Sequence, residues 1–290
     1  MAIQLNSLCV RRLLQKHFDT VEALALENAD EFVKDLLQIM HDSLDGQNSA
    51  VIGAKINDLY SKHFGLPQDR FVEEKRQSNA FIKPRLEKIS ALVETKEDPV
   101  FAALQFAILG NYLDFSALQG QVSFEKLDEM LDSALKMELD QEVYAKLCTD
   151  LEKGKKLLYV TDNAGEIGFD RVLAEQLQKK YPHLQITFCV RGGPAHNDAL
   201  REDAQYMDLK FSVVDTGNNV GGLDIPNLGQ EAKNALDEAD VIIAKGMGNT
   251  ESSYGCSYNI YYAFLVKCAR VQQFFNKPHM TPMLVKNVEC

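Results

Sequence analysis

The chain has 290 residues, 46% of them hydrophobic, with 42 acidic against 31 basic side chains for a formal charge of -11. That is enough apolar material for a full core, in one large domain or two modest ones, and an electrostatic field that repels nucleic-acid phosphates and anionic lipid. Small ligands and cations are the expected partners, and an anionic substrate needs local help from a metal or a few placed cations.

At the N-terminus, MAIQLNSLCVRRLLQKHF, Arg11 and Arg12 follow too short an apolar stretch for a secretion signal. No run reaches the roughly 18 apolar residues of a membrane span. Six cysteines (Cys9, Cys148, Cys189, Cys256, Cys268 and Cys290) are scattered with no C-x-x-C pair, so reduced thiols and a cytoplasmic setting are expected. Helical spacing then recurs: Phe32, Val33, Leu36, Leu37 and Met40 share one face, as do Leu127, Met130, Leu131, Ala134 and Leu135. Breaks at Asp45-Gly46, Gly65-Leu66-Pro67 and Asp98-Pro99 divide the first half into several helices joined by short loops.

From Leu157 the pattern changes. Short apolar runs at Leu157 to Val160, Ile186 to Val190, Phe211 to Val214 and Val241 to Ala244 alternate with amphipathic stretches. One such stretch carries Phe169, Val172, Leu173 and Leu177, another Leu228, Ala232, Ala235 and Leu236. This βαβ rhythm predicts a mostly parallel, helix-covered sheet. Glu152-Lys153-Gly154-Lys155-Lys156 reads as a helix end with a C-cap glycine, which divides the chain into a helical domain, residues 1–153, and an α/β domain, residues 154–290, packed together.

In an open parallel sheet, ligands bind beyond the carboxyl ends of the strands. The four strand ends deliver Thr161-Asp162-Asn163-Ala164-Gly165-Glu166, Arg191-Gly192-Gly193-Pro194 with Asn197-Asp198, Asp215-Thr216-Gly217, and Lys245-Gly246-Met247-Gly248-Asn249. Asp162, Asn163 and Asp198 are hard oxygen donors without His or Cys, which suits Mg²⁺ or Mn²⁺ better than zinc. Arg191 and Lys245 are placed to neutralise a phosphate, and the glycines let backbone N–H groups approach it. Each residue also has a plainer reading: Asn163 to Glu166 has capping-box spacing, Asp198 is positioned to cap a helix through Ala204, Gly217 and Gly222 suit turns, and a lysine past a strand is often just solvated.

The string Asp162-Asn163-Ala164-Gly165-Glu166-Ile167-Gly168-Phe169-Asp170 resembles the signature of the damage-control phosphatase family, also called domain of unknown function 89. Arg191-Gly192-Gly193-Pro194 with Asn197-Asp198-Ala199 resembles its second motif, and Lys245-Gly246-Met247-Gly248-Asn249 with Glu251 its third. Asp69-Arg70-Phe71 with Lys75, Ser78 and Asn79, Gly110-Asn111 with Asp114-Phe115, and Lys267-Cys268 with Phe275 and Thr281 are similar to further family motifs. The resemblance implies a helical N-terminal domain against a Rossmann-like, three-layer α/β/α domain, with a divalent metal between them held by Asp162, Asn163 and Asp198. It implies that Lys245 and Asn249 hold the substrate phosphate, with Lys75 and Asn79, four apart on one helical face, reaching the cleft from the other domain; Arg191 completes the candidate set, with Asp215 a secondary candidate as a further metal ligand, a substrate-hydroxyl partner or a base. Asn111 and Asp114 carry no role beyond the match and read as a buried polar pair. Smaller microbial members begin with a Cys-x-x-Cys pair, whereas here Asn6 takes the first position and only Cys9 remains.

The expected function is metal-dependent hydrolysis of a small phosphomonoester, a sugar phosphate or damaged phosphometabolite, with Mg²⁺ or Mn²⁺ and with Co²⁺ or Ni²⁺ as further candidates. An aspartyl-phosphate route is disfavoured because Ala164 stands where a second Asp is needed. The alternatives are an S-adenosylmethionine-dependent carboxyl methyltransferase, against which the absence of G-x-G-x-x-G after the first strand counts, and a non-catalytic phosphometabolite-binding protein.

Overall fold

In a computed structural model, which describes residues 3–27, 29–44, 46–114 and 123–288, the chain opens with eight helices. These are α1 (Ser7–Ala23), α2 (Asp30–Ser43), α3 (Ser49–Phe64), α4 (Val72–Ile82), α5 (Leu86–Glu94), α6 (Pro99–Gly110), α7 (Phe124–Ser133) and α8 (Gln141–Lys153). The remainder alternates: β1 (Lys156–Val160), α9 (Glu166–Lys180), β2 (Gln185–Val190), α10 (Arg201–Tyr206), β3 (Ser212–Asp215), α11 (Gln230–Glu238), β4 (Val241–Lys245), α12 (Gly246–Ser253), β5 (Ile260–Leu265), α13 (Ala269–Phe275) and β6 (Pro282–Lys286). Asp45, Phe115 and Cys290 lie outside the described residues.

The sheet runs β3-β2-β1-β4-β5-β6, parallel except for β6, which pairs antiparallel with β5. It holds two strands more than the four apolar runs predicted. Ile260 to Val266 is one unbroken buried run, and the antiparallel β6 lies beyond the βαβ rhythm. Successive side chains alternate between faces. Leu157, Tyr159, Ile186, Phe188, Ile243 and Tyr261 face a core shared with α6 and α9; Leu158, Val160, Ile242, Ala244 and Tyr262 face a second core with α11, α12 and α13. The result is the expected three-layer α/β/α arrangement with a helical N-terminal region.

Helix α6 is buried almost all round, from Ala102 to Gly110, because α9, the sheet at β5 and β6, and the neighbouring helices α5 and α7 cover its sides. Its close approach to α9 needs a glycine: a Cβ on Gly110 would lie 2.6 Å from Phe169. Helices α1 to α3 instead form a small core of their own around Phe32, Leu36, Ile52, Ile56 and Tyr60. In α2 the buried stripe is narrower than its spacing suggested: Phe32, Leu36 and Met40 are covered, whereas Leu37 is 48% exposed. Two other helical faces end early, since Ala134 and Leu135 fall in a 3-10 turn after α7 and Leu228 precedes α11.

Caps fix the ends of these elements. Asn6 accepts from Leu8 N at 3.1 Å and Cys9 N at 3.2 Å, so the residue standing in the place of a thiol starts α1. Asp98 caps α6 through Val100 N and Phe101 N, while its other oxygen accepts from Tyr144 Oη at 2.7 Å. Asp98→Ala is expected to cost about 2 kcal/mol, read as a lower midpoint in urea unfolding. In the small core, burial first and then Lys16 hold the His17 imidazole well below its ordinary 6.5, with Nδ1 3.0 Å from Tyr60 Oη. A folded-state pKa that is lowered for a base gives stability that is complete above 6.5 and is lost as pH falls below it. His17→Gln is therefore expected to flatten the loss of stability from pH 6.5 toward pH 5 by up to about 1.4 kcal/mol per pH unit, measured by urea unfolding across that range.

Candidate active site

The site forms beyond the carboxyl ends of the paired strands β1 and β4, from which the chain continues in opposite directions across the sheet, to β2 on one side and to β5 on the other, the switch point where open sheets bind ligands. Past β1 the chain does not enter a helix at once. Asp162 O accepts from Ala199 N at 2.7 Å, Ala164 N donates to Asn197 O at 2.9 Å, and Asn163 bridges antiparallel to Asp198. The loop after β2 thus returns to the end of β1 and sets Asp198 beside Asn163. Helix α9 starts only at Glu166, after Gly165 at φ +76°, so Asn163 is not a helix cap. Nor is Asp198: α10 begins after Leu200, whose N–H donates to Asp203.

Asp162 is approached from the β4 side by Gly246 at φ +79°, where a Cβ would lie 2.1 Å from Asp162 Oδ2. Only glycine permits that contact. Asp162 Oδ2 accepts from Asn111 Nδ2 at 2.6 Å and Asn163 Nδ2 at 2.8 Å. Both amides also donate to Glu166 Oε2, at 3.2 and 2.7 Å. Glu166 in turn accepts from Lys245 Nζ at 2.8 Å, which also reaches Asp170 Oδ1 at 2.8 Å and Ala107 O at 2.7 Å. Burial alone would lower the Lys245 pKa, but Asp170 and Glu166 outweigh it and hold the ammonium above its ordinary value.

In front of this network lies a cavity of about 100 Å³ lined by Asp162, Asn163 and Asp198 on the sheet side and by Arg12, Lys16 and His17 on the α1 side. Asp114, His196 and Glu251 also border it. Asp198 Oδ2 accepts from Arg191 Nε at 2.6 Å, and Arg191 Nη2 donates to Asn249 Oδ1 at 3.1 Å. Arg191 Nη1 is buried without a hydrogen-bond partner among the described residues. Burial, then Asp198 and Glu166, push the Asp162 carboxyl well above its ordinary range; burial raises Asp198 to about 6 despite Arg191. Lys16 is lowered to about 8, by burial first and then Arg12, and burial lowers His196 to about 3, so its imidazole is neutral.

Asp162 and Asp198 each keep one carboxylate oxygen, Oδ1, with no hydrogen-bond donor among the described residues. Asn163 Oδ1 accepts one bond, from Asn197 Nδ2 at 2.9 Å, and retains a lone pair. No group of three or more His, Cys, Asp or Glu side chains among the described residues makes a metal site by itself. Two carboxylates and an amide, with the Arg191 guanidinium beside them, do offer an all-oxygen set of the kind that fits a hard divalent cation.

The damage-control phosphatase ARMT1-like domain matches residues 6–281. The chain belongs to this family. It is 30% identical over 286 residues to the uncharacterized protein MJ0202 of Methanocaldococcus jannaschii, covering 94% of this chain and 92% of that one. The damage-control phosphatase PH1575 of Pyrococcus horikoshii is 30% identical over 223 residues, 76% of this chain and 75% of its own. A damage-control phosphatase of Archaeoglobus fulgidus is 31% identical over 208 residues, 70% and 71% of the two chains. The crystal structure of the Pyrococcus horikoshii protein, described as a member of the domain of unknown function 89 family, superposes with a TM-score of 0.82 at 26% identity, covering 98% of this chain and 99% of the other.

Within this damage-control phosphatase fold, Asp162, Asn163 and Asp198 meet at the cavity, and other candidates stand behind or away from it. Lys245 is fully buried beneath Asp162, its ammonium aimed at α9. Asn249 donates to Thr161 O and Lys245 O, and with Arg191 it braces the strand ends. Asn79 joins the helical layer to the site loop, accepting from Gly165 N at 2.7 Å and donating to Asp203 at 2.6 Å. Lys75 is held by Asp69, and Asp215 pairs with Arg201 at 2.6 Å near the surface. Lys267 Nζ joins Asn111 and Asp114, donating to Asn111 O at 2.6 Å and Asp114 Oδ2 at 2.8 Å.

The residues not singled out from sequence are Arg12, Lys16 and His196 at the cavity, and Glu166 and Asp170 as partners of Lys245. Arg12 and Lys16, four apart on α1, had a signal in their helical spacing. Lys245→Met would leave two carboxylates buried without a cation. It is expected to cost about 3 kcal/mol or more in urea unfolding; a loss below about 1 kcal/mol would show the ion cluster does not hold the site.

Proposed function

We propose that the chain is a phosphatase that hydrolyses small phosphomonoesters with a divalent cation, Mg²⁺ or Mn²⁺, held by Asp162, Asn163 and Asp198. The observation that carries this reading is the pair of buried carboxylate oxygens, Asp162 Oδ1 and Asp198 Oδ1, that accept no hydrogen bond among the described residues, beside an amide oxygen and facing a wall that bears Arg12 and Lys16. Such a site gathers acids on one side and cations on the other, which suits a cation and a phosphoryl group bound against each other.

The bound cation would supply Lewis-acid stabilisation of phosphoryl oxygens and a more acidic water. The chain's own groups do the positioning. Asn111 and Asn163 fix the Asp162 carboxylate by donating to one of its oxygens, and Glu166 fixes both amides in turn. Arg191 orients Asp198 through Nε, and its Nη1, without a hydrogen-bond partner among the described residues, is a further donor close to the acids. Lys16, with a pKa of about 8, is mostly protonated at neutral pH and with Arg12 offsets phosphate charge from the α1 side. The surrounding -11 makes these local cations necessary for any anionic substrate.

The test is phosphate release from sugar phosphates, nucleotides and phosphopantetheine compounds with Mg²⁺, Mn²⁺, Co²⁺ or Ni²⁺ and with chelator. Asp162→Ala is expected to lower the rate about a hundredfold or more. Near-saturating cation is expected to stabilise the wild-type fold by about 2 to 3 kcal/mol, a shift in thermal midpoint that Asp162→Ala abolishes. Full phosphate release by that variant, or a rate indifferent to chelation, would overturn the proposal.

A further inference from the structure

The cavity at the strand ends, about 100 Å³, is too small for a whole ester. A water's share of the liquid is about 30 Å³, whereas pockets that enclose complete small ligands run to several hundred. A phosphoryl group fits there; the alcohol to which it is attached needs other space. A second cavity of about 550 Å³ lies between α1 and the start of α13, and shares Arg12, Leu13, Ser49 and Glu251 with the first. Its walls mix Leu8, Leu13 and the thiols of Cys9 and Cys268 with three guanidinium groups, Arg11, Arg12 and Arg270.

The positive charge in this space is only partly met by the protein: Glu251 feels both Arg12 and Arg270, so among the described lining residues three guanidinium groups face one carboxylate. Glu251, on the shared wall, is already engaged by the Ser49 hydroxyl and by Cys268 Sγ at 3.6 Å. Arg12 is half-buried and has no hydrogen bond or ion pair among the described residues. Arg270 commits Nε to Gln4 O at 3.3 Å and stacks near Phe274 at 5.8 Å. A half-buried guanidinium without an acceptor, on the wall between two cavities, is a ready site for a ligand anion.

We infer that this second cavity receives the alcohol portion of the substrate, and that this portion carries a second anionic group, carboxylate or phosphate, bound by Arg12 and Arg270. The inference rests on the phosphatase reading above and narrows it, from phosphomonoesters in general to esters of an acidic, partly apolar alcohol.

The experiment compares kcat/KM, with Mg²⁺ or Mn²⁺ present, for simple alkyl phosphates and for the same chains ending in a carboxylate or a second phosphate, over a range of chain lengths. At the best length the second anion is expected to raise kcat/KM about tenfold or more, and the better of the two end groups identifies the anion. Arg12→Gln and Arg270→Gln are each expected to bring that ratio to within about threefold of one. Esters hydrolysed with no preference at any length, or a preference that survives both substitutions, would overturn the pocket assignment and leave the phosphatase reading standing. Failure to hydrolyse any ester would overturn the phosphatase reading, and the assignment with it.

Discussion

The site depends on one buried ammonium. Lys245, at the end of β4, donates to Glu166 and Asp170 on α9 and to the carbonyl of Ala107 in α6, so sheet and both helices are registered at a single atom. Taking charges out of water costs several kcal/mol per ion and is offset only when the geometry satisfies every partner. Displacement of any of the three elements breaks that condition. Glu166 then relays the registration forward, through Asn163 and Asn111, to the Asp162 carboxylate. The acid at the cavity is held from behind by a charge that never reaches it.

A protein of net charge -11 that binds phosphate esters has to reverse its own field locally. The structure divides that task. The strand ends gather acids whose free oxygens favour a cation, while α1 brings Arg12 and Lys16 across the gap. Arg191 stands with the acids and keeps Asp198 in place. On the proposed reading, attraction for a metal and attraction for phosphate come from different parts of the chain.

The parallel sheet and its ligand-binding edge were readable because each strand end is marked by glycines and polar residues directly after an apolar run. Asp162, Asn163 and Asp198 stood out for that reason, although their meeting depends on a loop that folds back from β2 to β1. The direction of Lys245 was less visible. It shares parity with Ile243, which faces α6 and α9, and that alternation turns its ammonium beneath the sheet edge. The antiparallel β6 escaped a reading built on βαβ rhythm. Arg12 and Lys16 escaped because no local pattern tells which face of α1 will look onto a site some 150 residues further along the chain.

The separate core of α1 to α3 gives the molecule two independent lineages of change. Its packing around Phe32, Leu36, Ile56 and Tyr60 shares no buried side chain with the core behind Asp162. A substitution on the cavity side of α1 alters what is recognised without disturbing the registration of the reacting groups, and a repacked three-helix unit presents a new wall to an unchanged centre. On the proposed reading, change in what is acted upon is thereby separable from change in how it is acted upon.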